Sequence, residues 1–252
     1  MQVGGDEIEA RSIAGAGDVT LVFLHEGLGS VSLWRDFPDQ VAAGLGLPAL
    51  VYSRRGYGGS SPVSLPRPTR FMHDEAAYLP GVLEAAGVHR ALLVGHSDGA
   101  SIALLYAALR PTNLVGVVAI APHVFVEDLS IANIENAKVA YETTELRSRL
   151  ERHHGANVDI AFRGWNDVWL SPDFRAWNIE QDVARITVPC AVIQGRDDEY
   201  GTLAQVESIR ERIPGTRVTV IDTCGHSPHK DQPTATLAAI VDFVRSLELA
   251  AD

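Results

Sequence analysis

The chain has 252 residues, 46% hydrophobic and 21% charged, the balance of an ordinary folded protein with a sizeable core, which excludes a disordered chain. A formal net charge of −11 with no clustered Lys and Arg excludes nucleic acid as a partner. No apolar stretch is long enough to span a bilayer, and "MQVGGDEIEARSIAG" has no basic segment followed by an apolar one, so the expectation is a cytoplasmic protein with no membrane partner.

In chain order, "IEARSIA" (8–14) alternates and reads as an antiparallel edge strand. The runs "VTLVFLH" (19–25), "LPALVYS" (47–53), "RALLVGH" (90–96), "VGVVAIA" (115–121), "VPCAVIQG" (188–195) and "TRVTVID" (216–222) are apolar throughout, as parallel strands covered on both faces require. Helices are expected between and after them at 31–44, 70–87, 98–110, 202–213 and 233–249. The alternation predicts an α/β fold with a mostly parallel, doubly wound sheet. From about 123 to 185 no strong strand is visible, only helical stretches and the aromatic-rich "AFRGWNDVWLSPDFRAW". That interval is expected to be a helical cap (123–185) inserted into a core made of 1–122 and 186–252. Cys190 opens one strand and Cys224 follows the end of the next, which puts them at opposite edges of a parallel pair, beyond the roughly 7 Å that a disulfide spans. Both thiols are expected to be reduced.

The chemistry concentrates at "LLVGHSDGASIA", residues 92–103. Gly95-His96-Ser97-Asp98-Gly99 has a strand before it and a helix after it with almost no loop between. Such a turn needs small residues on either side of the serine and lifts its hydroxyl above the carboxyl edge of the sheet, where open α/β sheets bind ligands. A serine attacks a carbonyl only if a histidine takes its proton, and that histidine needs a carboxylate to orient it. Downstream, "AVIQGRDDEYG" places Asp197 and Asp198 just after a strand, and "VIDTCGHSPHKDQP" places His226 just after the last one, on the same edge as Ser97.

Taken with "FLHEGLGS" and "YSRRGYGGS", these segments resemble the α/β-hydrolase superfamily, among its cap-bearing esterase and C–C-hydrolase-like members, over residues of about 20 to 245. The resemblance implies Ser97 as nucleophile, His226 as base and Asp198 as the orienting acid; Asp197 stays its rival, with a solvated turn carboxylate as the other role for it. It implies an oxyanion hole made of backbone N–H groups, one from Asp98 and one from Gly27, or from Leu28 if Glu26 is an insertion. Two departures stand out. Glu26 occupies a place where glycine is usual, and it reads first as an outward surface acid, with a pocket role as the alternative. Ser53 stands where an aspartate is often found.

Leu28, His123, Phe125, Trp165 and Trp169 are candidates for the substrate pocket, with Phe162 and Trp177 as further aromatic residues of the cap; cap core is the competing role for each aromatic. His96 reads as a packing residue below the turn, His229 as a rim residue, and His153 with His154 as a helix terminus. No spacing suggests a metal site, and the chemistry needs no cofactor. The function so implied is hydrolysis of a small carboxylic ester, lactone or thioester through an acyl-enzyme. C–C bond hydrolysis, perhydrolysis, hydroxynitrile cleavage and a non-enzymatic ligand receptor remain open on the same frame. The only partner expected is a small-molecule substrate, and the sequence leaves the oligomeric state open.

Overall fold

The strands arrange themselves so that their carboxyl ends meet along one edge, and that edge carries the site. The structure, a computed structural model, describes residues 1–247. Its strands are β1 (Gln2–Val3), β2 (Asp6–Glu7), β3 (Ala10–Ile13), β4 (Val19–Leu24), β5 (Ala49–Tyr52), β6 (Arg90–His96), β7 (Leu114–Ile120), β8 (Cys190–Gly195) and β9 (Arg217–Ile221). The helices are α1 (Phe37–Leu45), α2 (Phe71–Ala85), α3 (Asp98–Ala108), α4 (Asp128–Thr143), α5 (Leu146–His154), α6 (Val158–Trp169), α7 (Glu180–Val183), α8 (Leu203–Arg212), α9 (Pro228–Asp231) and α10 (Pro233–Ser246).

β1 and β2 pair as a small hairpin, and the other strands form a seven-stranded sheet in the order β3-β5-β4-β6-β7-β8-β9. β3 is antiparallel to β5, and every other pairing in that sheet is parallel. The sheet is covered on both faces, as its continuous apolar strands require. Along β4, Leu21 and Phe23 pack on one side with Val41 of α1 and Phe243 of α10. Val22 and Leu24 face the other side, with Leu79 of α2 and Leu104 of α3. α3 is buried along its whole length.

The expected strands are present to within about two residues, and the differences have local causes. The expected helix 31–44 is split: a 3-10 turn at Val31–Trp34 ends at Arg35, whose φ is 54°, and α1 begins only at Phe37. Pro38 lacks a backbone N–H to donate, so it fits the first turn of a helix and disrupts an interior. The helix expected over 233–249 is α10; positions 248 and 249 lie outside the described residues.

Between β7 and β8 lie α4, α5, α6 and α7 with 3-10 turns at Gly155–Asn157 and Pro172–Ala176. In α6 the buried Val158, Ala161, Phe162, Trp165, Val168 and Trp169 recur every three or four residues, which gives the helix one apolar face. That face reaches the edge of the sheet at its middle: a Cβ built on Gly27, just past β4, would lie 2.3 Å from the Trp165 ring. Both cysteines are free and buried. No helix among the described residues is long and apolar enough to cross a membrane.

Candidate active site

β6 ends at His96, and the chain turns through Ser97 at φ 54° and ψ −121° directly into α3. This left-handed backbone is costly for a residue with a Cβ, and it is held by the Ser97 N–H donating to Ile120 O (2.9 Å) at the end of β7. The two flanking glycines are required by contact. A Cβ on Gly95 would sit 2.3 Å from Gly99 O, and one on Gly99 would sit 2.1 Å from Leu24 O. Ser97 is therefore pinned between the helix behind it and β4 beside it.

His226 follows β9 and reaches back over this turn. Its Nε2 lies 2.9 Å from Ser97 Oγ, and its Nδ1 lies 2.9 Å from both carboxylate oxygens of Asp198. The arrangement assigns the tautomer: Nδ1–H donates to Asp198, leaving Nε2 to accept from the serine hydroxyl. Asp198 is reached through Gly195, where a Cβ would lie 2.1 Å from Gly225 O, so only glycine lets the acid and histidine loops approach. Its carboxylate also accepts from the Tyr200 N–H (2.7 Å), the Gly201 N–H (3.1 Å) and Gln194 Nε2 (2.7 Å). Burial opposes its ionisation, but the hydrogen bond and charge of His226, with the Tyr200 N–H, outweigh it and hold the carboxyl below the usual range. Asp197 is exposed and makes no contact of this kind.

A cavity of about 190 Å³ opens at Ser97, lined by Glu26, Gly27, Leu28, His96, Ser97, Trp165, Tyr200, His226 and Ser227. Of the pocket residues expected from sequence, Leu28 and Trp165 are in its wall. His123, Phe125 and Trp169 are not. His123 is a buried neutral imidazole, pushed down to about 3 by desolvation, and it packs between Trp169 and His226. Trp169 is buried and donates its indole N–H to Asp98 (3.2 Å). Phe125 is tied by its backbone to Gln205 and Asn178. Tyr200 and Ser227 had no signal beyond their closeness to Asp198 and His226.

Glu26 does not turn outward. Its side chain is only 18% exposed, in the cavity wall, with Oε1 3.3 Å from Lys230 Nζ and Oε2 3.6 Å from His96 Nδ1. Burial alone would raise its pKa, but Lys230 and His96 draw it well below the ordinary value, so the carboxylate is ionised. His96 donates from Nε2 to the His226 carbonyl (2.7 Å) and thereby braces the histidine loop from below. His229 is core rather than rim, buried against Trp34 and His96 with ring centroids 4.8 Å from each. His154 is no simple helix terminus either: it is buried, accepts from the Gly58 N–H (3.0 Å) and bonds Leu28 O through Nε2 (3.0 Å). The place of the missing aspartate is filled in two steps. Ser53 Oγ accepts from the Val31 N–H (2.9 Å) and donates to Glu9 Oε2 (2.6 Å), a carboxylate brought in by the chain before β3.

Asp98 opens α3, where the first backbone N–H groups have no partner within the helix, and its side chain lies fully buried against Trp169. Oδ2 has no partner, and desolvation lifts the carboxyl to about 6. With the folded value above the unfolded one, the native state binds the extra proton. The stability cost is therefore absent below about pH 4, grows as pH rises to about 6 and is constant above. Between pH 4 and 8 the unmodified protein is expected to lose about 2–3 kcal/mol of stability relative to Asp98→Asn, read as the change in the gap between their urea unfolding free energies. A gap that stays constant with pH would show that Asp98 titrates normally.

Comparison with known proteins adds a frame to this geometry. The family profile described as "Alpha/beta hydrolase family" matches residues 21–240. The chain is 25% identical to "Putative carbamate hydrolase RutD" of Pseudomonas savastanoi pv. phaseolicola over 91% of this chain and 95% of that one. It is 20% identical to the 2-hydroxy-6-oxo-6-phenylhexa-2,4-dienoate hydrolase of Comamonas testosteroni over 92% and 89%. Among solved structures, a bacterial membrane phospholipase A superposes with a TM-score of 0.80 at 20% identity, covering 99% of this chain and 86% of that one.

Proposed function

The chain belongs to the alpha/beta hydrolase family, and from that premise we propose that it is a serine hydrolase cleaving small carboxylic esters, lactones or thioesters through an acyl-enzyme. One observation carries the reading: Ser97 Oγ, His226 and Asp198 form an unbroken hydrogen-bonded line at 2.9 Å per step, opening on a cavity. Ser97 attacks the carbonyl carbon while its proton passes to His226 Nε2, and Asp198 holds the imidazolium that forms. The resulting oxyanion is met by the Asp98 N–H, at the positive end of α3, and by the Gly27 N–H. Collapse of the intermediate sends the proton from Nε2 to the leaving group, and a water then repeats the sequence on the acyl-enzyme. The helices between β7 and β8 act as the cap, with Trp165 and Leu28 forming the apolar wall against the acyl group. No cofactor enters these steps. The test is a panel of p-nitrophenyl esters, lactones, carbamates and ring-cleavage acids, together with mass-spectrometric mapping of a fluorophosphonate adduct. Turnover of neutral esters with the adduct on Ser97 is expected; absence of both defeats the reading.

The named activity of the Comamonas testosteroni relative raises C–C bond hydrolysis as a second reading, whose substrates are carboxylates. Glu26 speaks against it. An ionised carboxylate in the wall of so small a cavity repels an anionic acyl group, and Lys230 offsets this only in part because it is itself one-third exposed. Neutral esters are therefore expected to turn over faster than matched carboxylate-bearing ones. Glu26→Gln is expected to narrow that ratio by about tenfold, the size of about 1.4 kcal/mol. Faster turnover of the anionic ester by the unmodified protein would favour C–C hydrolysis instead.

A further inference from the structure

The loop after β5 carries an arginine that the mechanism above leaves unused. Arg54 is 1% exposed, and its guanidinium grips the backbone of the loop after β4: Nη1 donates to His25 O and Nη2 to Glu26 O (3.0 Å). Its own N–H donates to His25 Nε2 (3.0 Å), which leaves Nδ1–H of His25 to donate to the same Glu26 carbonyl (2.7 Å). The Gly29 N–H is a third donor to that oxygen, at 3.1 Å. A trans peptide group is planar, with its C=O and N–H pointing in opposite directions. Three donors gathered on Glu26 O therefore fix the Gly27 N–H facing the other way, and Gly27 lies in the cavity wall beside Ser97.

The charge matters as much as the contacts. Arg55 and Arg67 both pair with Glu75, whereas among the described residues no carboxylate comes within 4.0 Å of Arg54. The Tyr57 ring lies 4.9 Å from the guanidinium carbon, Nε has no partner, and the charge is felt by the carboxylate of the buried Asp98, which Arg54 draws down against its desolvation. A buried cation without a close ion pair is expensive to keep. It is repaid where negative charge appears nearby, because a fixed charge in a dry site acts on that charge with little screening.

We infer that Arg54 is the positioning residue of the oxyanion hole: it orients the Gly27 N–H and sets a positive field behind it. This rests on the serine-hydrolase reading. The effect belongs to the transition state and not to substrate binding, so Arg54→Met is expected to lower kcat about a hundredfold. KM is expected to change by less than about threefold. Benzeneboronic acid, which forms an anionic tetrahedral adduct on the serine, is expected to lose affinity by about the same factor as kcat, because it mimics the charge that the hole receives. Tm is expected to fall modestly, since methionine cannot donate to the His25 and Glu26 carbonyls, so kcat is read per folded molecule. Arg54→Lys, which keeps the charge but cannot span both carbonyls, is expected to fall between, about tenfold below the unmodified protein. It also serves as the reporter if Arg54→Met does not fold.

A folded variant with unchanged kcat, a loss confined to KM, or a kcat loss without weaker boronate binding overturns the inference. So does a loss of Tm in step with activity at full kcat per folded molecule, which is what a purely structural arginine gives. Failure of the underlying reading looks different: the unmodified protein itself then neither hydrolyses esters nor takes the fluorophosphonate at Ser97.

Discussion

Ser97→Ala is expected to reduce ester turnover by a factor on the order of 10⁶ and to abolish fluorophosphonate labelling, while leaving the fold in place. The size follows from the hydroxyl's single job. Ser97 Oγ has one partner, His226 Nε2, and although the residue sits at the N-cap position of α3 its side chain makes no capping hydrogen bond. The helix start is instead held by the Ser97 carbonyl, which accepts from Ala100 and Ser101, and by its N–H to Ile120, all of which alanine retains. Alanine also tolerates φ 54° no worse than serine does. The unfolding free energy should therefore stay within about 0.5 kcal/mol of the unmodified protein, the range of substitutions that remove no packing. Labelling that persists in the variant would place the nucleophile elsewhere.

The turn that holds this serine was readable because its requirements are local. Gly95 and Gly99 flank it for contacts that any such turn must make, and the apolar runs on either side declare a buried strand and a buried helix before any contact is known. The hairpin of β1 and β2 is equally local, a Gly4-Gly5 turn with both φ values positive, and "VGGDE" carries that signal. Glu26 is the opposite case. Its inward orientation is set by Lys230, 204 positions away in the chain, and by His96, neither of which a reading of "HEGLGS" contains. Arg54 is hidden for the same reason: its burial comes from the tertiary contact between the loops after β4 and β5, and in sequence it is one of two adjacent arginines with nothing to tell it from Arg55. The buried histidines follow this pattern too. Whether an imidazole bears charge, braces a loop or fills a core depends on what packs around it: His154 does end α5, but its bonds to Gly58 and Leu28, like the burial of His229 against Trp34, come from distant parts of the chain.

The two adjacent carboxylates of the "GRDD" turn separate this logic most sharply. Asp198→Asn is expected to lower kcat by about 10⁴, the scale on which loss of the orienting acid acts, whereas Asp197→Asn is expected to stay within about twofold. The asymmetry is written in the donors. Asp198 faces only donors, namely the Tyr200 and Gly201 N–H groups, Gln194 Nε2 and His226 Nδ1–H. An asparagine can keep its oxygen on the two backbone N–H groups only by turning its NH2 toward Gln194 and His226. Gln194 accommodates that by flipping its own amide, at the cost of its bond to Gly201 O (3.0 Å). His226 accommodates it by accepting at Nδ1, which moves its proton to Nε2, and an Nε2–H cannot take the proton of Ser97. The variant is thus predicted to fold with the three side chains in place and the imidazole in the wrong tautomer. Steady-state kinetics on both variants, with the imidazole N–H of His226 located by NMR, provide the check. Equal losses in the two variants, or a mild Asp198→Asn, would move the orienting role away from Asp198.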